Sequence, residues 1–196
     1  MPFNFLRRRK GAADEGAAPG AAGGAGSAAS SGPGVPFDGL TEDWRLRGSM
    51  RIEGRLSDAL NRRETITLSD VEWAPIDGSG PMEPAPGIRS IDPYDLIAVL
   101  SGRDTMPDLS DEQRAARRVR KDPYQVALQV PPYRIVGTMH VFPGTDPRQM
   151  LEQTAEMFVP LTDAIVFIGD ARVTDPDEGV VLVNRLYVRG VEETGS

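Results

Sequence analysis

Apolar and polar residues alternate along residues 44–52, and the same pattern returns at residues 133–141. Eight of the nine aligned pairs are identical or conservative, and the exception sets an arginine against a valine. Alternation of this kind is typical of a strand with one buried face. Both segments are therefore predicted to be strands, with Met50 and Met139 pointing into the core.

The likeness continues beyond these strands, because residues 66–71 match residues 159–164 and an apolar segment follows in each half, at 96–100 and at 180–188. The segments are rich in residues that favour strands. Each half is interpreted as strand, short helical turn, strand, loop and strand. The predicted fold class is mainly β with a few short helices (α+β), built by tandem duplication of a small barrel-like or sandwich-like unit.

Capping signals predict a short helix in each half. Ser57 is expected to cap a single turn in the first half. In the second half Asp146 is expected to cap a longer helix, with Pro147 at its first position and Gln149 completing a capping box. The apolar face expected for the longer helix consists of Leu151, Ala155 and Phe158.

A third helix is predicted between the halves, from Ser110 to Lys121, because acidic residues occupy its first turn and basic residues its last. Its apolar stripe is thin. It is therefore interpreted as a solvated connector, and a docking helix for an acidic partner is the alternative.

Residues 11–36 are almost entirely Gly, Ala, Ser and Pro, with Val35 as the only large apolar residue. Such a segment buries too little surface to offset its conformational entropy and is predicted to be disordered. The predicted organisation is a tail and linker (1–36), a first β-rich repeat (37–102), a connector (103–125) and a second β-rich repeat (126–196).

The absence of cysteine from the sequence excludes disulfides and thiolate metal sites, and no cofactor is predicted. No apolar run approaches the ~20 residues of a membrane-spanning helix. Ala and Gly follow Lys10, where a secretion signal would have an apolar core. The predicted location is the cytoplasm, with peripheral binding at the inner face of the membrane left open.

Charge is divided unevenly along the chain. Four basic and two acidic residues give residues 1–36 a net charge of +2, so the total of −7 leaves −9 for the body. A body so acidic disfavours nucleic acid as a partner, because it repels the phosphate backbone.

Gly48 and Gly137 interrupt predicted strands at the same place in each half, which indicates a bulge, a barrel corner or a close backbone approach. Asp70 and Asp163 also occupy equivalent places, each after Ser or Thr. They are expected to bond nearby backbone amides and fix a turn. A paired-carboxylate site between the halves is the alternative.

His140 is the only histidine and takes the place of Arg51 on the polar side of its strand. It is expected to be exposed or half-exposed. A single histidine without cysteine does not form the usual zinc sites, and neither a metal nor a catalytic role is predicted.

The N-terminal decapeptide is the best functional candidate, because it joins apolar anchors to a basic cluster. The predicted docking residues are Phe3, Phe5, Leu6, Arg7, Arg8, Arg9 and Lys10. They suit a protein partner or an anionic membrane surface. A flexible linker of 26 residues would give them a reach of about 28 Å.

Two family resemblances follow from short motifs. Residues 137–141 and 158–164 resemble an uncharacterised family of bacterial strand-rich domains, which implies no activity. Residues 68–72 and 187–190 resemble the two motifs of Sm-like barrels, which implies RNA binding.

The sequence thus predicts a non-enzymatic binding or assembly module that is localised or docked through its N-terminal tail. Self-association is left open. The alternatives are an Sm-like RNA-binding barrel, or an enzyme using Asp70, Asp163 and His140 in a cleft between the repeats.

Overall fold

The computed structural model describes residues 34–52, 54–101, 120–174 and 179–194. Within these ranges the predicted mainly β class is confirmed. The strands of the first half are β1 (Gly34–Leu40), β2 (Trp44–Arg51), β3 (Ile66–Pro75), β4 (Glu83–Pro84), β5 (Ser90–Ile91) and β6 (Ala98–Ser101). Those of the second half are β7 (Asp122–Val130), β8 (Tyr133–Val141), β9 (Phe158–Ile168), β10 (Ala171–Arg172), β11 (Val180–Asn184) and β12 (Gly190–Glu193). The α-helices of this part are α1 (Leu56–Asn61) and α2 (Pro147–Gln153).

The strands form one large sheet with the order β12-β7-β8-β9-β11-β6-β1-β2-β3-β4, while β10 pairs with β9 and β5 with β3. All the pairings are antiparallel. Three consecutive strands lie side by side in each half, β1-β2-β3 and β7-β8-β9. The halves meet where β6 pairs with β11, in a register that joins residues 98–101 to residues 180–183.

β6 and β11 are central because their two faces contribute to two different hydrophobic clusters. Val99 and Leu182 point into the cluster that contains Met50. Their neighbours point into the cluster that contains Met139, and these are Ala98, Leu100, Val181 and Val183. Each cluster also takes a residue from the far half, Phe158 in the first and Leu40 in the second. Neither half therefore encloses its own core alone.

The predicted inward face of the matched strands is confirmed. Met50 is 1% exposed and Met139 is 0% exposed. Along β8 the whole predicted face from Tyr133 to Val141 is buried, whereas along β2 it alternates between buried and half-buried positions. The first half is thus the more open of the two.

Asn61, at the end of α1, connects the first half to the second. Its Oδ1 accepts hydrogen bonds from the backbone N–H groups of Met157 and Phe158, both at 2.8 Å, and its Nδ2 donates to the Phe158 carbonyl at 3.2 Å. Phe158 is the first residue of β9, where it pairs with Asn184 of β11, and its backbone is bonded by the Asn61 amide as well. One side-chain amide therefore satisfies three backbone groups, which is why α1 lies against β9.

Two further polar contacts join the halves. The buried hydroxyl of Tyr133 donates to the Thr41 carbonyl at 2.7 Å, at the turn between β1 and β2. Arg45 forms a bidentate ion pair with Asp38 on β1 and also donates to the Val173 carbonyl at 3.0 Å. Both contacts hold the β1–β2 hairpin against the second half.

Several sequence predictions need correction. The disordered segment was predicted to reach residue 36, but residues 34–36 belong to β1 because they pair with residues 49–51 of β2. Ser57 does not cap α1, which begins one residue earlier with Arg55 at its N-cap and no side-chain cap.

In the second half Asp146 caps α2 as predicted, by accepting from the Gln149 N–H at 2.8 Å. Ala155 and Phe158 are not on this helix, because α2 ends at Gln153 and Phe158 begins β9. Lys121 is not helical either, since β7 begins directly after it. Arg120 is not helical, and residues 122–125, which were assigned to the connector, belong to β7. Residues 110–119 of the predicted connector helix lie outside the described residues, as does the predicted tail up to residue 33.

Replacing Asn61 with Ala is expected to destabilise the protein by about 2–4 kcal/mol, because two buried N–H groups and one carbonyl lose their partner. Chemical unfolding followed by far-UV circular dichroism measures this. Gln149→Ala removes an amide of similar size from an exposed position on α2 and should change stability by less than about 0.5 kcal/mol. Equal effects of the two substitutions would contradict the connecting role of Asn61.

Because the Tyr133 hydroxyl is buried, the free energy of unfolding is expected to fall at alkaline pH. Burial raises the pKa of its hydroxyl above the ordinary value of 10.0. The unfolded chain then loses this proton at lower pH than the folded chain does, so the stabilising contribution is complete below about pH 10 and is lost as pH rises further.

Tyr133→Phe is expected to lower stability by about 1 kcal/mol at about pH 8 and to reduce the loss seen between about pH 8 and about pH 11. Urea unfolding at both pH values measures the difference. The other three tyrosines are common to both proteins, so an identical alkaline loss in the two would exclude Tyr133 as its source.

Candidate functional site

The predicted docking residues Phe3, Phe5, Leu6, Arg7, Arg8, Arg9 and Lys10 lie outside the described residues. The described chain begins at Gly34, which pairs with Arg51 at the end of β2. The N-terminal segment therefore joins the body at the open end of the β1–β2 hairpin.

Gly48 and Gly137 each lie at a β-bulge, as the sequence predicted. Gly48 faces both Asp70 and Val71, because the β2–β3 register shifts between Arg47 and Ser49. A Cβ on Gly48 would meet the Ser69 carbonyl oxygen at 2.8 Å. The close approach of the bulged strand explains why only glycine fits here.

The second half repeats this geometry. Gly137 faces Asp163 and Ala164 across a register shift between Val136 and Thr138. A Cβ on Gly137 would lie 3.0 Å from the Thr162 carbonyl oxygen and 2.9 Å from the Ala164 Cβ. The same two-against-one pairing therefore occurs at the same place in both halves.

Asp70 and Asp163 have backbone φ angles of 52° and 50°, which is the left-handed region. Aspartate tolerates this conformation better than most residues do. The predicted side-chain hydrogen bonds are not made among the described residues, and both side chains are exposed. Each aspartate thus supports its bulge through the backbone conformation that it accepts and not through its carboxylate.

The three residues of the predicted enzyme alternative do not meet in one site of the described structure. Asp70 lies on β3 and Asp163 on β9, with β11, β6, β1 and β2 between these strands in the sheet. His140 is half-exposed, as predicted, and its Nε2 lies 3.1 Å from the Thr162 hydroxyl. That contact joins β8 to β9 and uses a ring nitrogen of the only histidine.

No group of three or more His, Cys, Asp or Glu side chains in the described ranges is placed to hold a metal ion. No helix in the same ranges is long and apolar enough to cross a membrane.

One open groove lies beside the bulge of β3 and has a volume of about 640 Å³. Its walls are residues 67–72 of β3 and the proline-rich loop around Pro84, Pro86 and Ile88. Asp70, Glu72 and Arg89 are the charged residues of its lining. The loop pairs with β3 at both ends, where the Ala85 N–H also donates to the Val71 carbonyl at 2.7 Å and the Leu68 N–H to the Arg89 carbonyl at 2.8 Å.

A second groove, called the arginine groove below, has a volume of about 350 Å³. It is lined by Arg148, Leu151, Glu152, Arg185, Val188, Arg189, Gly190 and Val191. α2 forms one wall, and the segment from the end of β11 into β12 forms the other. Its three arginines are a local reversal of charge on an acidic body.

The arginines of this groove differ in how they are held. Arg185 is half-buried and donates to the carbonyls of Glu156 and Leu151 at 2.8 and 3.4 Å. Arg148 and Arg189 are exposed, and their guanidinium groups make no hydrogen bond or ion pair with any described residue. On one flank Tyr187 donates to the Tyr94 carbonyl at 2.8 Å, and burial, followed by the charge of Asp95, raises the pKa of Tyr187.

The sequence did not predict the arginine groove. Its members come from α2 and from a segment about 40 positions later along the chain, and they carry no motif. The resemblance of residues 187–190 to an Sm motif draws attention to Arg189 alone. Only the packing of α2 against the end of β11 brings the arginines together.

No protein-family model, curated protein or solved structure matches the chain.

The bulge conformation predicts how substitutions of Asp70 change the free energy of unfolding. Asp70→Asn should change the free energy of unfolding by less than about 0.5 kcal/mol, because asparagine accepts positive φ and no side-chain bond is lost. Asp70→Val should cost about 1–2 kcal/mol, because a β-branched residue is strained there. The same pair of changes at Asp163 should give the same ranking.

Thr67→Val is the matched control, since Thr67 is an exposed residue of β3 outside the positive-φ positions. Valine suits an ordinary strand position and should be neutral or stabilising there. Urea unfolding of the variants measures the series. If Asp70→Asn were as damaging as Asp70→Val, the carboxylate and not the backbone would matter.

Proposed function

We propose that this protein is a non-enzymatic binding or assembly module that is docked to an anionic surface through residues 1–10. The observation that carries the proposal is the uneven division of charge along the chain. Four consecutive basic residues follow two phenylalanines and a leucine within residues 1–10, while residues 37–196 carry a net charge of −9. An anionic membrane leaflet or an acidic protein face would attract the first and repel the second.

The structure of the body supports the proposal that it presents a preformed binding surface. Its two halves share both hydrophobic clusters and are tied by Asn61, Tyr133 and Arg45. Such a body presents its surface grooves in a fixed arrangement. Its partners would then meet a preformed surface, which reduces the ordering cost of binding.

The separation between tail and body reduces the repulsion between the acidic body and an anionic surface. Residues 11–33 separate the basic cluster from β1. If this segment is the flexible coil that its composition predicts, its root-mean-square reach is about 26 Å. Charges in solution are screened within about 8–10 Å at physiological ionic strength. The tail can therefore bind an anionic surface while the body stays outside the range of repulsion.

We also infer that the two halves arose by tandem duplication. The matched glycine bulges, the paired aspartates at positive φ and the side-by-side order of three strands in each half support this origin. The β12-β7-β8-β9-β11 order corresponds to β6-β1-β2-β3-β4, so β6 takes the place of β12 and not of β11, with which the sequence had matched it. β11 and β6 are the strands through which the two sets join. A duplicated body of this kind offers two related but diverged surfaces.

The tail proposal is tested by co-sedimentation with lipid vesicles. Replacing Arg7, Arg8, Arg9 and Lys10 with Gln is expected to weaken binding to phosphatidylserine-containing vesicles by more than about a hundredfold, because each basic residue contributes about 1 kcal/mol. Replacing Phe3, Phe5 and Leu6 with Ser should weaken it as well. The parent protein should not bind neutral vesicles, and high salt should abolish its binding to the anionic ones.

Arg51→Gln is the matched control, because Arg51 is an exposed arginine of the body. It should leave vesicle binding unchanged. If the parent protein binds no vesicle but loses a specific cellular partner on replacement of the four basic residues, the anionic surface is a protein. Unchanged partners and unchanged location would refute a docking role for the tail.

A further inference from the structure

The arginine groove lies against β12, which is an edge strand of the described sheet. Among the described strands β12 has a neighbour on one side only, because it ends the strand order and pairs with β7 alone. Gly190 and Val191, its first two residues, also line the groove. Unpaired backbone and free positive charge therefore occur side by side.

An unpaired edge can accept one more strand through main-chain hydrogen bonds, with side-chain contacts supplying selectivity. The groove provides both kinds of contact. Leu151, Val188 and Val191 supply apolar surface, and Arg148 and Arg189 supply guanidinium groups without a partner in the described residues. Three arginines against the single carboxylate of Glu152 leave the groove positive.

We propose that the arginine groove and the β12 edge together bind an extended acidic segment of a protein partner. Carboxylates of that segment pair with Arg148 and Arg189, alternate apolar side chains pack on the apolar wall, and its backbone continues the sheet beyond β12. A guanidinium group matches a carboxylate with two parallel hydrogen bonds, so the arginines select for acidic residues.

The other end of β12 sets the direction of charge along the bound segment. Glu192 and Glu193 are exposed at that end, where they repel carboxylates. The acidic residues of the partner must therefore lie at the Gly190 end, with uncharged or basic residues toward Glu193. A small anion would use the arginines but would have no use for the edge or the apolar wall.

The test measures binding of a fluorescein-labelled peptide in which Glu alternates with Val, by fluorescence anisotropy. The whole chain is used, with Arg7, Arg8, Arg9 and Lys10 replaced by Gln so that the basic tail cannot bind the peptide. This background also separates the proposal from the proposed docking function, because the groove is probed while the tail is inactive. A failure of the vesicle experiment therefore has no bearing on this one.

Arg148→Ala and Arg189→Ala are each expected to weaken binding about threefold, and together about tenfold, as exposed ion pairs do. Arg51→Ala, a distant exposed arginine, should change nothing. Arg148 and Arg189 have no bond to lose within the described body, so both variants should keep the parent thermal stability. Raising the salt concentration should weaken binding by the parent and have little effect on the double variant.

Two further probes identify the class of ligand. The peptide with Gln in place of Glu should bind at least about tenfold more weakly, because the charged pairs are lost. N-acetylglutamate should not compete at concentrations similar to those of the peptide. Competition by this small anion at equal concentration would overturn the peptide proposal in favour of a simple anion site.

Nuclear magnetic resonance locates the peptide. Backbone amide shifts should change along residues 188–193 and at Leu151, with the largest changes on β12. Shifts confined to another surface, or unchanged affinity in the double arginine variant, would overturn the proposal.

Discussion

The antiparallel pairing of β6 with β11 is the constraint on which the rest of the fold depends. In the described sheet order theirs is the only strand pairing that joins the two halves, and alternate residues on the two strands enter different hydrophobic clusters. Val99 and Leu182 stabilise one core while their neighbours stabilise the other. Removing either strand would open both cores to water, so the halves depend on each other for burial. This explains why residues of each half, Leu40 and Phe158, complete the core of the other.

The contacts outside the sheet follow from that shared core. Where β9 begins, its backbone amides face the end of α1, and Asn61 satisfies them with a single side chain. Where the β1–β2 hairpin turns, the Thr41 carbonyl receives the Tyr133 hydroxyl. Buried backbone groups without a partner would each cost about 1–3 kcal/mol. These polar contacts therefore allow the two halves to approach closely, and the platform proposed for binding is rigid because of them.

The two β-bulges also follow from the close packing of backbone groups. A bulge places two residues opposite one, which brings backbone atoms closer than a Cβ allows at Gly48 and Gly137. The extra residue takes positive φ, and aspartate occupies it in both halves. At the far edge of the sheet, by contrast, the structure leaves β12 unpaired in the described part of the chain and surrounds its start with arginines. The bulges are part of the fold, whereas the edge of β12 and its arginines suit a binding partner.

The sequence by itself determined the mainly β class, the inward face of β2 and β8, the bulges at the two glycines and the cap of α2, because each depends on neighbours along the chain or on a local period. It missed β1, β7 and β12 as separate strands, misplaced the start of α1 and assigned Phe158 to a helix. Only the tertiary structure decided that β6 and β11 join the halves, that Asn61 serves the backbone of β9, and that Arg148 and Arg189 share a groove. Those pairings connect residues far apart in the chain, and their energies arise from burial and from backbone groups that need partners, which no local pattern of residues records.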